Sequence, residues 1–136
     1  MAEPSLSLQK LVADRLMANA EVMVLIGDPD NIVDTGVRPA RDLFVVLGDG
    51  QTVYRGVIAR TYLNLHVFVK EPGMKLAKEI AGAIVDCVPH DAQVEHCYLG
   101  VDGFAVSDLS IDDTRFIHDG TFSHALVNVA AIMRAV

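Results

Sequence analysis

The sequence predicts an α+β fold, a two-layer sandwich in which a mainly antiparallel sheet carries two helices on one face. Three observations lead there. Two stretches repeat their apolar residues at helical spacing, several others alternate with period two, and most alternating stretches are joined by turn residues rather than by crossover helices.

In chain order, Ser5 or Ser7 offers a side-chain oxygen to the free amides of a first helical turn, predicting a helix over residues 5–19. Leu8, Leu11, Val12, Arg15 and Leu16 fall at helical spacing, with Gln9, Lys10, Asp14 and Asn19 opposite. The apolar residues 20–26 add a further helical turn, which Gly27-Asp28-Pro29-Asp30-Asn31 stops, and a brief strand follows at Ile32 to Asp34. Leu43 to Leu47 is a continuous apolar run, read as a strand buried on both faces and closed by a turn at Gly48-Asp49-Gly50. Gln51 to Arg60 reads as an extended hairpin loop. From Thr61 to Val69 the chain alternates, with Leu63, Leu65, Val67 and Val69 on a core face and Tyr62, Asn64, His66 and Phe68 on a mixed one.

After a turn at Glu71-Pro72-Gly73, Leu76, Ala77, Ile80, Ala81, Ile84 and Val88 recur at helical spacing and predict a second helix over about residues 74–88, ended by Pro89. Its alanines and Gly82 give it a smooth surface for lying across a sheet. Phe104 to Ile111 alternates as a strand, Asp112-Asp113 interrupts it, and Asp119-Gly120 is a turn signal. Phe122 to Met133 alternates throughout, as a strand in the middle of a sheet does. No repeat, low-complexity tract or linker divides the chain, so residues 1–136 are expected to form a single domain.

Composition narrows the function classes. With 136 residues, 51% of them apolar, the chain is long enough to bury a core without disulfide or metal staples. Eleven Lys and Arg against 18 Asp and Glu give a formal charge of −7, which disfavours wrapping of a phosphate backbone. No basic stretch followed by an apolar run opens the sequence, so no signal peptide is expected. The longest apolar runs fall far short of the roughly 20 residues a membrane span needs, so no membrane association is expected either. With two cysteines, Cys87 and Cys97, free thiols are the expectation, Cys87 as a buried helix residue.

Candidate chemistry is sparse. Cys87, His90, His96 and Cys97 are four potential zinc ligands, but their order and spacing depart from the paired ligands of structural sites. A metal-binding enzyme or regulator built on them is kept as a remote alternative. His66 and His124 lie on the mixed faces of two strands as potential neighbours, without a nucleophile motif beside them. Asp108, Asp112, Asp113 and Asp119 crowd one expected loop and lack the ligand pattern of a calcium-binding loop. Gly48-Asp49-Gly50 is not extended into a phosphate cradle. Nothing assembles a nucleophile, a base and an oxyanion site, so neither enzymatic activity nor a cofactor is expected.

Four stretches taken in order resemble one family. They are the helix Leu8 to Leu16 with its sequel to Gly27, the strand Leu43-Phe44-Val45-Val46-Leu47-Gly48, the strand–turn–helix from Leu63 to Ile84, and the closing Asp119-Gly120-Thr121-Phe122-Ser123-His124-Ala125-Leu126-Val127. Their succession is similar to that of phage tail-completion proteins, which include the tail terminators of long non-contractile tails and of gene transfer agents. That family often opens the buried strand with a proline, which here lies earlier, at Pro39.

The resemblance implies a virion protein of the tail or neck, assembled in the bacterial cytoplasm. It would form a homohexameric ring that caps the finished tail tube, binds head-completion, neck or portal-adaptor proteins on its other side, and leaves a channel for DNA as passing cargo. Under it, Tyr54, Arg55 and Arg60 are expected to reach the tube, since Tyr and Arg are favoured at interface hot spots. Tyr62, Asn64, His66 and Phe68 are expected to pack against a neighbouring subunit. Asp108, Asp112, Asp113 and Asp119 are expected to line the channel and repel phosphate. Another neck component, a head-completion or stopper protein, is the alternative within the same class.

Overall fold

The computed structural model describes residues 3–34, 41–71, 74–89 and 99–136. The first helix, α1, spans Pro4–Ala18, with Pro4 in its opening turn, where a missing N–H costs nothing. Its cap is Glu3 rather than Ser5 or Ser7: the Glu3 carboxylate accepts from the Ser5 backbone N–H at 2.8 Å and from the Ser5 hydroxyl, while Ser5 and Ser7 lie inside the helix. Asn19 ends α1 and caps α2 (Ala20–Ile26), accepting from the Val22 N–H at 3.1 Å. A single 3₁₀ turn then leads into β1 (Ile32–Asp34), which runs parallel to β2 (Leu43–Arg55). β3 (Ile58–Lys70), α3 (Lys75–Cys87), β4 (Leu99–Val101), β5 (Phe104–Asp119) and β6 (Phe122–Ala135) complete the chain.

The sheet order is β1-β2-β3-β6-β5-β4, so the alternating C-terminal segment does occupy the interior of the sheet. β3 pairs with β6 antiparallel from Ile58↔Arg134 to Lys70↔Phe122 without a shift. This register sends Leu63, Leu65 and Val67, with Ala125, Val127 and Val129, to one face. There they meet Leu8, Val12 and Leu16 of α1, Val22 and Ile26 of α2, and Ile80 and Ile84 of α3 in one core. At about 25 cal/mol per Å² of apolar surface removed from water, this shared face is the main stabilising feature.

Several expectations need correction. The sheet is mixed and curled into a half-barrel: among the described strands the pairings are antiparallel except for β1 with β2, and register shifts at 47/50, 107/110 and 111/113 bend the long strands. Three described helices, not two, cover its core face. Gly48-Asp49-Gly50 is a bulge inside β2, not a turn. The expected loop from Gln51 to Arg60 is two paired strand ends joined at Gly56-Val57, where Gly56 takes the positive φ of 64° that a tight hairpin turn requires. Tyr54 and Arg55 therefore close β2, and Arg60 lies within β3. The expected acidic loop is likewise strand: Asp108, Asp112, Asp113 and Asp119 all belong to β5, which passes Asp112-Asp113 with a bulge instead of stopping. Polarity made both segments look like loops, whereas their backbone hydrogen bonds to β3 and β6 are independent of side-chain character.

Tethers fix α1 against the sheet. The Thr52 hydroxyl donates to Glu3 at 2.6 Å, and the buried Ser7 hydroxyl and Lys10 Nζ donate to Asp102, in the β4–β5 turn, at 3.0 and 3.1 Å. Burial alone would raise the Glu3 carboxyl, but hydrogen bonds from Ser5, Thr52 and two backbone amides outweigh it and lower the value below 4.5. A carboxyl held below its unfolded value stabilises the fold above that value and loses the contribution as pH falls through the folded one. Glu3→Gln is therefore expected to be less stable than the parent at pH 7 and to approach it in acid, as read by urea midpoints at each pH. In the core, Ile80→Ala should cost about 2–5 kcal/mol by the same measurement. The Thr61 hydroxyl is buried with no hydrogen-bond partner among the described residues, so Thr61→Val should raise stability by roughly 1–2 kcal/mol.

Candidate assembly surfaces

The face of the sheet opposite the helices carries the other half of each alternating strand. Phe44, Val46 and Phe68 form a small buried apolar cluster there, with Val33 and Phe122 packed against it. Phe44 stacks on Phe68 with ring centroids 4.9 Å apart, and Phe68 stacks on His124 at 4.3 Å. His66 Nδ1 lies 2.9 Å from His124 Nε2, so one imidazole donates and the other accepts. On its other side His66 Nε2 faces the Asp49 carboxylate at 3.5 Å, which links the β2 bulge to β3 and β6 through two rings. The histidines are thus neighbours, as their strand positions predicted, and both are half-buried. Asp49 was the member that sequence reasoning missed, because its side chain reaches the pair through a bulge that reads as a turn.

The four residues expected to form an interface face do share one face of β3. Tyr62 lies opposite Ala130, Asn64 opposite Asn128, His66 opposite Leu126 and Phe68 opposite His124. Tyr62, Asn64 and His66 are half-exposed, while Phe68 is buried in the aromatic cluster and works from beneath. The result is a broad surface of half-buried Tyr, Asn, His, Leu and Ile that no described helix covers, with the moderate polarity of an interface formed after folding.

The residues expected to act at the tube and at the channel fall into different groupings. Arg60 and Tyr62 line a shallow cleft of about 320 Å³ together with Asp108 and Asp112, across β6. Asp108 stands at the β5 bulge with a φ of 50°, in the left-handed region uncommon for residues other than glycine. Asp113 accepts from the Asn128 amide, and Asp119 closes β5 opposite Phe122. Tyr54 and Arg55 lie apart from this cleft, at the end of the β2–β3 hairpin, and Tyr54 is 65% exposed.

Of the potential metal ligands, Cys87 is buried at the end of α3, and His90, His96 and Cys97 lie outside the described residues. Cys87 Sγ donates to the Arg15 carbonyl at 3.4 Å while Arg15 Nη2 donates to the Cys87 carbonyl at 3.0 Å, so the thiol acts as a clip between α1 and α3. Burial pushes the Cys87 thiol up, against the opposing pull of the Arg15 charge. Among the described residues no three His, Cys, Asp or Glu side chains converge as a metal site, and no helix is long and apolar enough to cross a membrane.

A family profile described as "Tail completion protein gp17" matches residues 10–134. A chain of a solved structure titled "Virion of native gene transfer agent (GTA) particle" shares the fold with a TM-score of 0.76 at 20% identity, over 95% of this chain and 96% of that one. A second solved chain, whose title states no function, aligns with a TM-score of 0.67 at 10% identity, over 100% of this chain and 98% of its own. No curated protein matches the sequence.

For the clip, a Cys97→Ser variant should react with an aromatic disulfide reagent on the order of a hundredfold more slowly when native than in urea. Equal rates in the two conditions would show that Cys87 is accessible.

Proposed function

Since the chain belongs to the tail completion protein gp17 family, we propose that it is a tail terminator, a subunit of a homohexameric ring that caps the completed tail tube and joins it to the head. The observation that carries this reading is the family match across residues 10–134, which spans every strand and helix from the middle of α1 to the end of β6. As a tail completion protein the chain is a structural component of a phage-like tail; the ring, its position and its channel are the proposal.

Binding rather than catalysis is the mechanism. A terminator has to stay soluble, recognise the end of a tube, and then present a second surface to the neck. The half-buried outer face with Tyr62, Asn64 and His66 supports this: it is polar enough to remain in water and apolar enough to gain from being covered by a neighbouring subunit. Asp108, Asp112 and Asp113, exposed along β5 at the margin of that face, are assigned to the part of it that a neighbour leaves uncovered and that borders the channel, where carboxylates would keep passing phosphate from adhering. The gene transfer agent particle whose chain shares this fold suits the same reading, since that chain is part of a virion.

Deleting the gene and imaging the particles by electron microscopy tests the proposal. Overlong tails or polymerised tube without heads are expected. Tails of normal length beside unattached filled heads would instead place the chain among the head-completion proteins. Within the ring, Tyr62→Lys combined with Leu126→Lys should leave the circular dichroism of the purified chain unchanged while reducing capped tails, because a lysine pair on the outer face meets the neighbour and not the core.

A further inference from the structure

Two surface features are unused by this reading. One is a groove of about 600 Å³ between α2 and α3, floored by Leu25, Gly82 and Ala83. Val24 stands in it 81% exposed, and a Cβ built on Gly82 would meet nothing within 4 Å, so the floor is open and smooth. Its rim is wholly acidic: Glu21 from α2, and Glu79 and Asp86 from α3. Among the described residues only Glu79 has a cationic partner, Lys75, on the exposed side of the same helix at 3.8 Å.

The second feature is the end of the β2–β3 hairpin. Arg55, Ile58 and Arg134 lie opposite one another across β2, β3 and β6, which puts two exposed guanidinium groups on either side of an apolar residue on one face. Val57 projects beyond them at the turn, 77% exposed. Arg60 stands one row behind, beside Asp108 and Asp112, whereas among the described residues no carboxylate pairs with Arg55 or Arg134, which carry the charge of the tip.

An apolar protrusion flanked by arginines and an apolar groove rimmed by carboxylates are complementary in shape and in charge. They sit at opposite ends of α1: Glu3, at its start, bonds to Thr52 near the hairpin end, whereas Asn19, at its finish, opens α2. That helix is roughly 22 Å long, so the tip of one chain does not fill the groove of the same chain. Building on the ring reading, we propose that the β2–β3 hairpin end of one copy seats in the α2–α3 groove of the next. Val57 and Ile58 cover Val24 and the glycine–alanine floor, while Arg55 and Arg134 reach Glu21, Glu79 and Asp86. Contacts between two different patches of one chain are head-to-tail, the kind that closes into rings when the rotation between copies permits. Guanidinium groups suit the task, since they bind carboxylates through paired hydrogen bonds and are weakly hydrated. The hairpin end is thereby assigned to a neighbouring copy instead of the tail tube.

Disulfide trapping in assembled particles tests this. In a Val24→Cys/Val57→Cys variant, oxidation followed by a non-reducing denaturing gel should give a ladder of covalent multimers, absent from either single variant. Both positions are exposed, so the substitutions leave the core intact. Adding Arg55→Glu with Arg134→Glu should reduce the ladder by about tenfold or more, and Glu21→Lys with Glu79→Lys on top should restore it. Particles whose micrographs show a ring but whose gels show no ladder would overturn the tip-in-groove contact while leaving the ring reading standing. A cross-link from Val57→Cys to tube or neck protein would overturn it in favour of that partner. Micrographs without any ring at the tail end would refute the ring reading itself and this contact with it.

Discussion

The register between β3 and β6 governs the rest of the molecule. Successive side chains of a strand point to opposite faces, so the unbroken pairing from Ile58↔Arg134 to Lys70↔Phe122 decides at once which residues meet the helices and which face away. With β3 held in place, a slip of β6 by one residue would turn Val127 and Val129 outward and carry His124 and Asn128 into the core. Both outcomes lose apolar burial and strand polar groups without partners. The helices depend on this register because their apolar faces close only on the side where the core leucines and valines stand.

The outer face follows from the same pairing. It joins Phe44, Phe68 and Phe122 into a small second cluster, brings His66 within hydrogen-bond distance of His124, and sets Arg55, Ile58 and Arg134 in one row. None of these groupings has the arrangement of a nucleophile with its base. They resemble the furniture of a contact surface: aromatic support below, adaptable polar groups above, and a charged tip at the edge. Three bulges curl the sheet, so this surface is bent.

Much of the architecture was legible in the residues, and the failures share one physical cause. Alternation located β3 and β6, and 3.6-residue periodicity located α1 and α3, because in those elements one face is core and side chains report backbone geometry. The segments read as loops, Gln51 to Arg60 and the run through Asp112-Asp113, are strands with little burial, held by main-chain hydrogen bonds that leave no trace in side-chain pattern. The cap at Glu3 was missed for a related reason: its carboxylate is drawn in by Thr52 of β2, a contact distant in sequence. At the candidate surfaces, the shared face of Tyr62, Asn64, His66 and Phe68 could be read from alternation, whereas the meeting of Arg60 with Asp108 and Asp112 depends on how β3, β6 and a bulged β5 are aligned.

If the chain is a ring subunit, its −7 charge and its high apolar fraction serve different surfaces: apolar side chains fill the core and the joints between copies, and carboxylates face water and DNA. Electron cryomicroscopy of the head–tail joint, at a resolution that traces individual strands, tests this directly. The expected result is a single six-fold ring of this chain between the last tube ring and the neck, with an open channel along its axis. A joint in which the chain is present as isolated copies, or from which it is missing in finished particles, would contradict it.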